Sequence, residues 1–231
     1  MDLSARLALF SPLDAFAVGI IMLAWIAVGS LIEHPPAQRP SVSVLMADYR
    51  RDWMRQFVTR QPRIFDANVI DNLRQGTAFF ASATMIAIGG GVALIGNSER
   101  LAGIAEDLTV PAPALVIEVK VMLVLFFVGN ALLKFIWAHR LFGYCAILMA
   151  AVPNDPDDPL ALHRAGQAAE VNITAAKGFN RGMRSVYFAL GALGWLLGPV
   201  PLIIATVLTT GVLLRREFAS VSREVILQRD P

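Results

Sequence analysis

The chain has 231 residues, 56% of them hydrophobic and 16% charged, with a formal net charge of +2. Soluble domains carry about 25% charged residues, so this composition excludes an ordinary water-facing globule. Cys145 is the single cysteine, which excludes a disulfide framework and a thiolate metal cluster.

The first predicted element is a spanning helix over about 13–32. Ser11 suits a helix cap, Pro12 the first helical position and Asp14 the acid of a capping box. The apolar run from Ala15 to Ile32 is long enough for a hydrocarbon core of about 30 Å, and His34-Pro35-Pro36 stops it. Met1 to Ser11 contains one basic residue before that run, so no cleavable leader is expected.

Between the first two spans, Val42, Leu45, Met46, Tyr49, Trp53 and Phe57 recur at helical spacing, with Arg50, Arg51 and Arg55 largely on the other side. This pattern predicts an amphipathic helix over about 41–60. It either lies in the membrane interface or packs its apolar stripe on the rest of the protein. Further spans are predicted over about 72–97, 115–136 and 185–214. The third of the four is apolar except for Glu118, Lys120, Asn130 and Lys134. Asn154 to Pro159 (NDPDDP) breaks the chain after it, and an Ala-rich helix follows over about 160–177. Gly198-Pro199-Val200-Pro201 interrupts the last window, which reads as one kinked span or as a re-entrant hairpin; the kinked span is the expectation taken.

Lys and Arg counts orient these segments. The first loop holds seven (Arg39, Arg50, Arg51, Arg55, Arg60, Arg63, Arg74) and the third six (Lys134, Arg140, Arg164, Lys177, Arg181, Arg184). The second holds only Arg100, beside Glu99, Glu106 and Asp107. Loops one and three are therefore expected in the cytoplasm, with the N-terminus and second loop outside. A fourth crossing would then place the tail outside, against its Arg215, Arg216, Arg223 and Arg229.

Two strings carry a family resemblance. One runs through Asp48-Tyr49-Arg50-Arg51-Asp52-Trp53-Met54, Arg63-Ile64-Phe65-Asp66-Ala67, Asn72-Leu73 and Phe79-Phe80-Ala81-Ser82. The other comprises Phe179-Asn180, Arg184-Ser185, Tyr187-Phe188 and Leu214-Arg215-Arg216-Glu217-Phe218. Together they resemble the bacterial branch of an uncharacterised membrane-protein family, the domain of unknown function numbered five-nine-nine. The resemblance implies a multi-pass protein of the bacterial inner membrane and no activity.

Candidate chemistry is sparse. No metalloprotease or nucleotide-loop motif occurs, and Gly89-Gly90-Gly91 lacks dinucleotide spacing. Those glycines, with Gly191, Gly194 and Gly198, read as helix-packing surfaces, one set internal and the other open to a further subunit. Lys120, Asn130 and Lys134 share a broad helical face and either line a polar path or, for the lysines, reach opposite headgroup layers. His34 and His139 fall near the same depth, a weak haem or quinone signal; hydrogen bonding at the interface is the plainer reading. Asp155, Asp157 and Asp158 read as a solvated turn rather than a calcium loop, and Asn172-Ile173-Thr174 as a glycosylation sequon on the cytoplasmic side. Arg50, Arg51, Arg55 and Arg60 are candidate contacts for anionic lipid headgroups.

The expected fold is all-α, a single membrane domain over 1–231 with an interfacial helix and a helical cytoplasmic layer. The leading expectation is a structural or accessory subunit of a homo- or hetero-oligomeric membrane complex. A channel or transporter, and a haem- or quinone-associated electron carrier, are the alternatives. Membrane lipid and a second subunit are the expected partners, with no nucleic acid, no metal and no cofactor.

Overall fold

The computed structural model describes residues 9–97 and 113–228. The second-loop residues Glu99, Arg100, Glu106 and Asp107, and Arg229 of the tail, lie outside the described residues. The chain order is α1 (Pro12–Glu33), α2 (Val42–Thr59), α3 (Ile64–Gly96), α4 (Ala114–Ala150), α5 (Ala161–Ala192), a 3-10 turn (Leu193–Leu197), α6 (Pro199–Phe218) and α7 (Val221–Leu227). The fold is all-α, with no strand among the described residues. Three helices, α1, α3 and α4, are long and apolar enough to cross a membrane.

Local chemistry sets the helix ends. Ser11 and Asp14 cap α1 reciprocally: the Ser11 backbone N–H donates to Asp14 Oδ2 (3.0 Å) and the Asp14 N–H to Ser11 Oγ (3.2 Å). Ser41 serves two helices at once. Its buried hydroxyl donates to the Ile32 carbonyl in the last turn of α1 (2.7 Å) and accepts from Val44 N–H in the first turn of α2 (3.3 Å).

The residues form two compact units that share the longer helices. One contains Met1–Ser30, Ala83–Ala131 and Met183–Leu214. Its interior is built from Ile21, Phe127, Phe188 and Leu202, each fully buried, with Trp25 edge-on to Phe126 and Phe127. Gly91 of α3 receives the side chain of Leu125 from α4, so those two helices meet through a missing side chain.

The window 185–214 is divided here into two helices. Gly198 has φ 127°, a left-handed conformation that strains any residue with a Cβ, and Pro199 restarts the chain. A Cβ on Gly194 would lie 3.0 Å from the Pro201 carbonyl oxygen, and one on Gly191 would lie 3.1 Å from Thr209 Oγ1. Positions rising along α6 are met by positions falling along α5, so the arms are antiparallel. The glycines let the two backbones close into a hairpin. Trp195 at its tip donates from Nε1 to Asp14 Oδ1 at the start of α1 (2.7 Å).

The other unit contains Leu31–Ser82, Leu132–Gly182 and Arg215–Pro231. Its core joins Met54, Phe57 and Val58 of α2 to Ile70 of α3, Phe142 and Met149 of α4, and Ala161, Ala165, Ala168 and Ala169 of α5. The alanines present a flat surface that admits the larger side chains opposite. Burying one such large apolar side chain contributes about 1.5–3 kcal/mol. The α2 stripe therefore packs, at least through Phe57, on the protein's own helices. Trp53 is half-buried and its Nε1–H donates to Asp66 Oδ1 (2.6 Å), whereas Tyr49 is exposed. In the same unit Gly182 lies against the ring of Phe135, where a Cβ would meet Cε1 at 2.6 Å, and Gly178 lies against Ala138.

Arg63 closes this unit. Its guanidinium donates to the carbonyls of Val152 (2.9 Å), Pro153 (2.7 Å) and Val58 (3.2 Å) and stacks 4.5 Å over Phe57. A carbonyl in the last turn of α2 and two just past the end of α4, which have no helical partner, are satisfied by one cation.

Candidate functional site

The four arginines of α2 and its C-cap share a composition and not a situation. Arg51 donates from Nε to Glu170 Oε1 (2.7 Å) and from Nη1 to Asp48 Oδ1 (2.9 Å). Arg55 pairs with Asp52 one turn back (3.1 Å), and Arg60 with the fully buried Asp66. Arg50 has no carboxylate partner among the described residues. Its Nη1–H donates to the amide oxygen of Asn172, which is fully buried and passes a hydrogen from Nδ2 toward Cys145 Sγ (3.5 Å).

Charge and burial follow these partners. The hydrogen bond to Glu170 holds the Arg51 guanidinium above its ordinary pKa, while burial pushes Arg50 below its own. Both stay protonated at any physiological pH, because a guanidinium titrates far above neutrality.

Arg50 lines a cleft of about 250 Å³ between α2, α5 and α6. Lys177 and Asn180 face it from α5, and Ser43 and Glu217 close one end. Glu217 accepts from the Ser43 backbone N–H (3.0 Å) and from its hydroxyl (3.1 Å), so a carboxylate sits at the N-terminus of α2, where the helix dipole favours it. Asn180 Nδ2 donates to Ser43 Oγ (3.3 Å). Lys177 is exposed and makes no hydrogen bond or ion pair with the described residues. The same end of the unit receives the tail. Arg39 reaches the Phe218 carbonyl (3.4 Å), Arg223 the Pro40 carbonyl (3.0 Å), and Tyr49 OH the Ile226 carbonyl (3.3 Å).

The remaining sequence candidates are dispersed. Lys120 is 9% exposed and within electrostatic reach of Asp14. Asn130 Oδ1 accepts from Ser185 Oγ (3.0 Å), in the same unit as Lys120. Lys134 is half-buried in the other unit, and no hydrogen bond or ion pair joins the three. His34 is exposed. His139 Nδ1 lies 3.2 Å from the Arg74 carbonyl and 3.4 Å from Thr77 Oγ1, so it serves the backbone of α3. Asp155 and Asp158 accept from the backbone N–H groups of Asp157 (3.0 Å) and Leu160 (2.8 Å), which makes them turn formers. No cluster of three His, Cys, Asp or Glu suited to a metal occurs among the described residues. Asn172 has no exposed surface on which to carry a glycan.

Sequence reasoning did not bring Ser43, Lys177, Asn180 and Glu217 together. Ser43 and Glu217 are 174 positions apart, and no local pattern pairs them. The signal available was negative: Arg50 lacks an acid three or four residues away that is free to meet it.

These features define an all-helical protein carrying three helices of membrane-crossing length and composition and a polar cleft beside them in sequence. The family described as Protein of unknown function, DUF599, matches residues 16–222, and the chain belongs to it. No curated protein and no solved structure matches the chain.

Proposed function

We propose that this is a multi-pass membrane protein that acts as a structural subunit and associates with a second copy of itself through α3. The carrying observation is the surface of that helix. Only 11% of its most apolar stretch is buried, and a Cβ on Gly89, Gly90 or Gly96 would meet nothing within 4 Å. Exposed Ala83, Ala87 and Ala93 extend the same small-residue surface. In lipid, apolar side chains gain little from leaving one apolar solvent for another, so helices associate where small residues let backbones approach. Several glycines are engaged within the chain, Gly91 on Leu125, Gly178 and Gly182 on α4, Gly191 and Gly194 on α6; Gly19, Gly129 and Gly143 are also open, but singly rather than in a group.

The topology supported best carries α1, α3 and α4 across the membrane, while the α5–α6 hairpin enters from the cytoplasmic side, reaches the outer end of α1 where Trp195 bonds to Asp14, and returns to the cytoplasmic side. The tail bonds to Pro40, Ser43 and Tyr49 of the first loop, so tail and first loop share one side of the membrane. The seven cations of that loop favour the cytoplasm, and the same side then suits Arg215, Arg216 and Arg223. The conflict that a fourth simple crossing creates disappears. Placement in the bacterial inner membrane rests on the family resemblance.

Mass measurement in lipid nanodiscs tests the assembly. The wild-type chain is expected as a multimer, and Gly89→Leu/Gly90→Leu as a folded monomer. A monomeric wild type, or an unchanged multimer in the variant, overturns the reading.

A further inference from the structure

The cleft between α2, α5 and α6 has more hydrogen-bond donors than the protein uses. A guanidinium offers five N–H donors and an ammonium three. Arg50 engages Nη1 on Asn172, and Lys177 engages none of its donors on the described residues. The one carboxylate in the lining, Glu217, is occupied by both donors of Ser43. Arg51, Arg55 and Arg60, by contrast, each have an acid. Two cations on facing helices line a space of about 250 Å³ whose carboxylate is already bonded to Ser43, a setting that suits an anion with several acceptor oxygens.

We propose that this cleft binds a phosphate-bearing anion between Arg50 and Lys177. Arg50 is the pre-set donor, because Asn172 holds its guanidinium from behind, and Asn172 is itself immobilised by burial and by Cys145. Lys177 is the mobile donor that closes on the ligand from the rim. Glu217 sets the selectivity: its negative charge beside the cleft disfavours highly charged ligands and leaves room for a phosphomonoester or phosphodiester. An anionic phospholipid headgroup and a soluble phosphate offer the same oxygens. The lipid source rests on the membrane reading above, and the soluble source does not.

The test uses the full-length protein with two probes. Phosphatidylglycerol retained by protein released from mixed nanodiscs is counted by native mass spectrometry, and inorganic phosphate is titrated against thermal unfolding in lipid-free detergent. The wild type is expected to respond to at least one. Retained phosphatidylglycerol without a phosphate response identifies the lipid source, and a response to phosphate in detergent identifies the soluble one. Lys177→Gln is expected to weaken the response about fivefold, and Arg50→Gln/Lys177→Gln about thirtyfold, from the loss of one and two cation contacts. Arg55→Gln, whose cation is occupied by Asp52, is expected to change neither. Arg50→Gln also removes a bond to Asn172 and so risks the fold. Lys177→Gln removes no contact and keeps the test decisive. A wild type that responds to neither probe, or a Lys177→Gln protein that responds like wild type, overturns the proposal. Assembly through α3 is read separately by mass, so failure here leaves that result standing.

Discussion

Gly194→Leu is the sharpest probe of the α5–α6 hairpin. A Cβ at this position would stand 3.0 Å from the Pro201 carbonyl oxygen, 3.2 Å from its carbonyl carbon and 3.2 Å from Ala205 Cβ. Unstrained carbon contacts lie at about 3.5–4.0 Å, so even alanine must push the arms apart by about half an ångström. The obstacle is backbone, which cannot rotate out of the way. Overpacking by a methyl group costs about 1–3 kcal/mol. Up to about 1 kcal/mol of that is offset when the unfolded chain loses a glycine. Gly194→Ala is therefore expected to destabilise by about 0–3 kcal/mol. Leucine adds three carbons that have no space between the arms, and a gap of about 0.5–1 Å along the hairpin forfeits a quarter to a half of each dispersion contact. A loss of at least about 3 kcal/mol is expected, which is more than a hundredfold in the folding equilibrium. Unfolding in an SDS titration, followed by circular dichroism, measures it. Gly19→Leu is the control, because nothing lies within 4 Å of its Cβ and it stands apart from the α3 surface. Equal midpoints for the two variants would refute the packing argument.

Other expectations follow from single contacts. Phe57→Ala empties a site that is 3% exposed and should cost about 3–5 kcal/mol in the same titration; a loss below 1 kcal/mol would mean that the α2 stripe is not core. Arg63→Met removes the donor to three carbonyls, and a hydrogen bond to a charged group contributes about 1.5–3 kcal/mol, so a lowered unfolding midpoint is expected; an unchanged one would show that water replaces the guanidinium without cost. Gly182→Ala places a methyl 2.6 Å from the Phe135 ring and should destabilise by about 1–3 kcal/mol, whereas Gly76→Ala, with open space around it, should not. For topology, single cysteines at positions 164 and 222 in a Cys145→Ser background should both react with an impermeant reagent only after the cells are opened. Labelling of 222 in intact cells would place the tail outside and contradict the hairpin.

Features carried by neighbours in sequence were legible without a structure. The Ser11–Asp14 box and the stop at Pro35-Pro36 predict where α1 starts and ends, because capping and hydrogen-bond geometry act within four residues, whereas the apolar windows did not give the lengths of the later helices. The family strings were equally visible, and they span most of the chain. What depended on tertiary structure is which helix faces which. Gly89 and Gly194 are indistinguishable as glycines in apolar runs, yet one faces open space and the other a carbonyl oxygen. Arg50 and Arg51 are adjacent, but the 100° turn between successive helical residues sends one to the buried Asn172 and the other to Glu170. The side taken by the tail was unreadable for the same reason: it depends on Glu217 meeting Ser43 across 174 residues. Periodicity reports which side of a helix is apolar. It carries no information about the register between helices distant in sequence, and that register is set only when side chains and backbones meet at van der Waals distance.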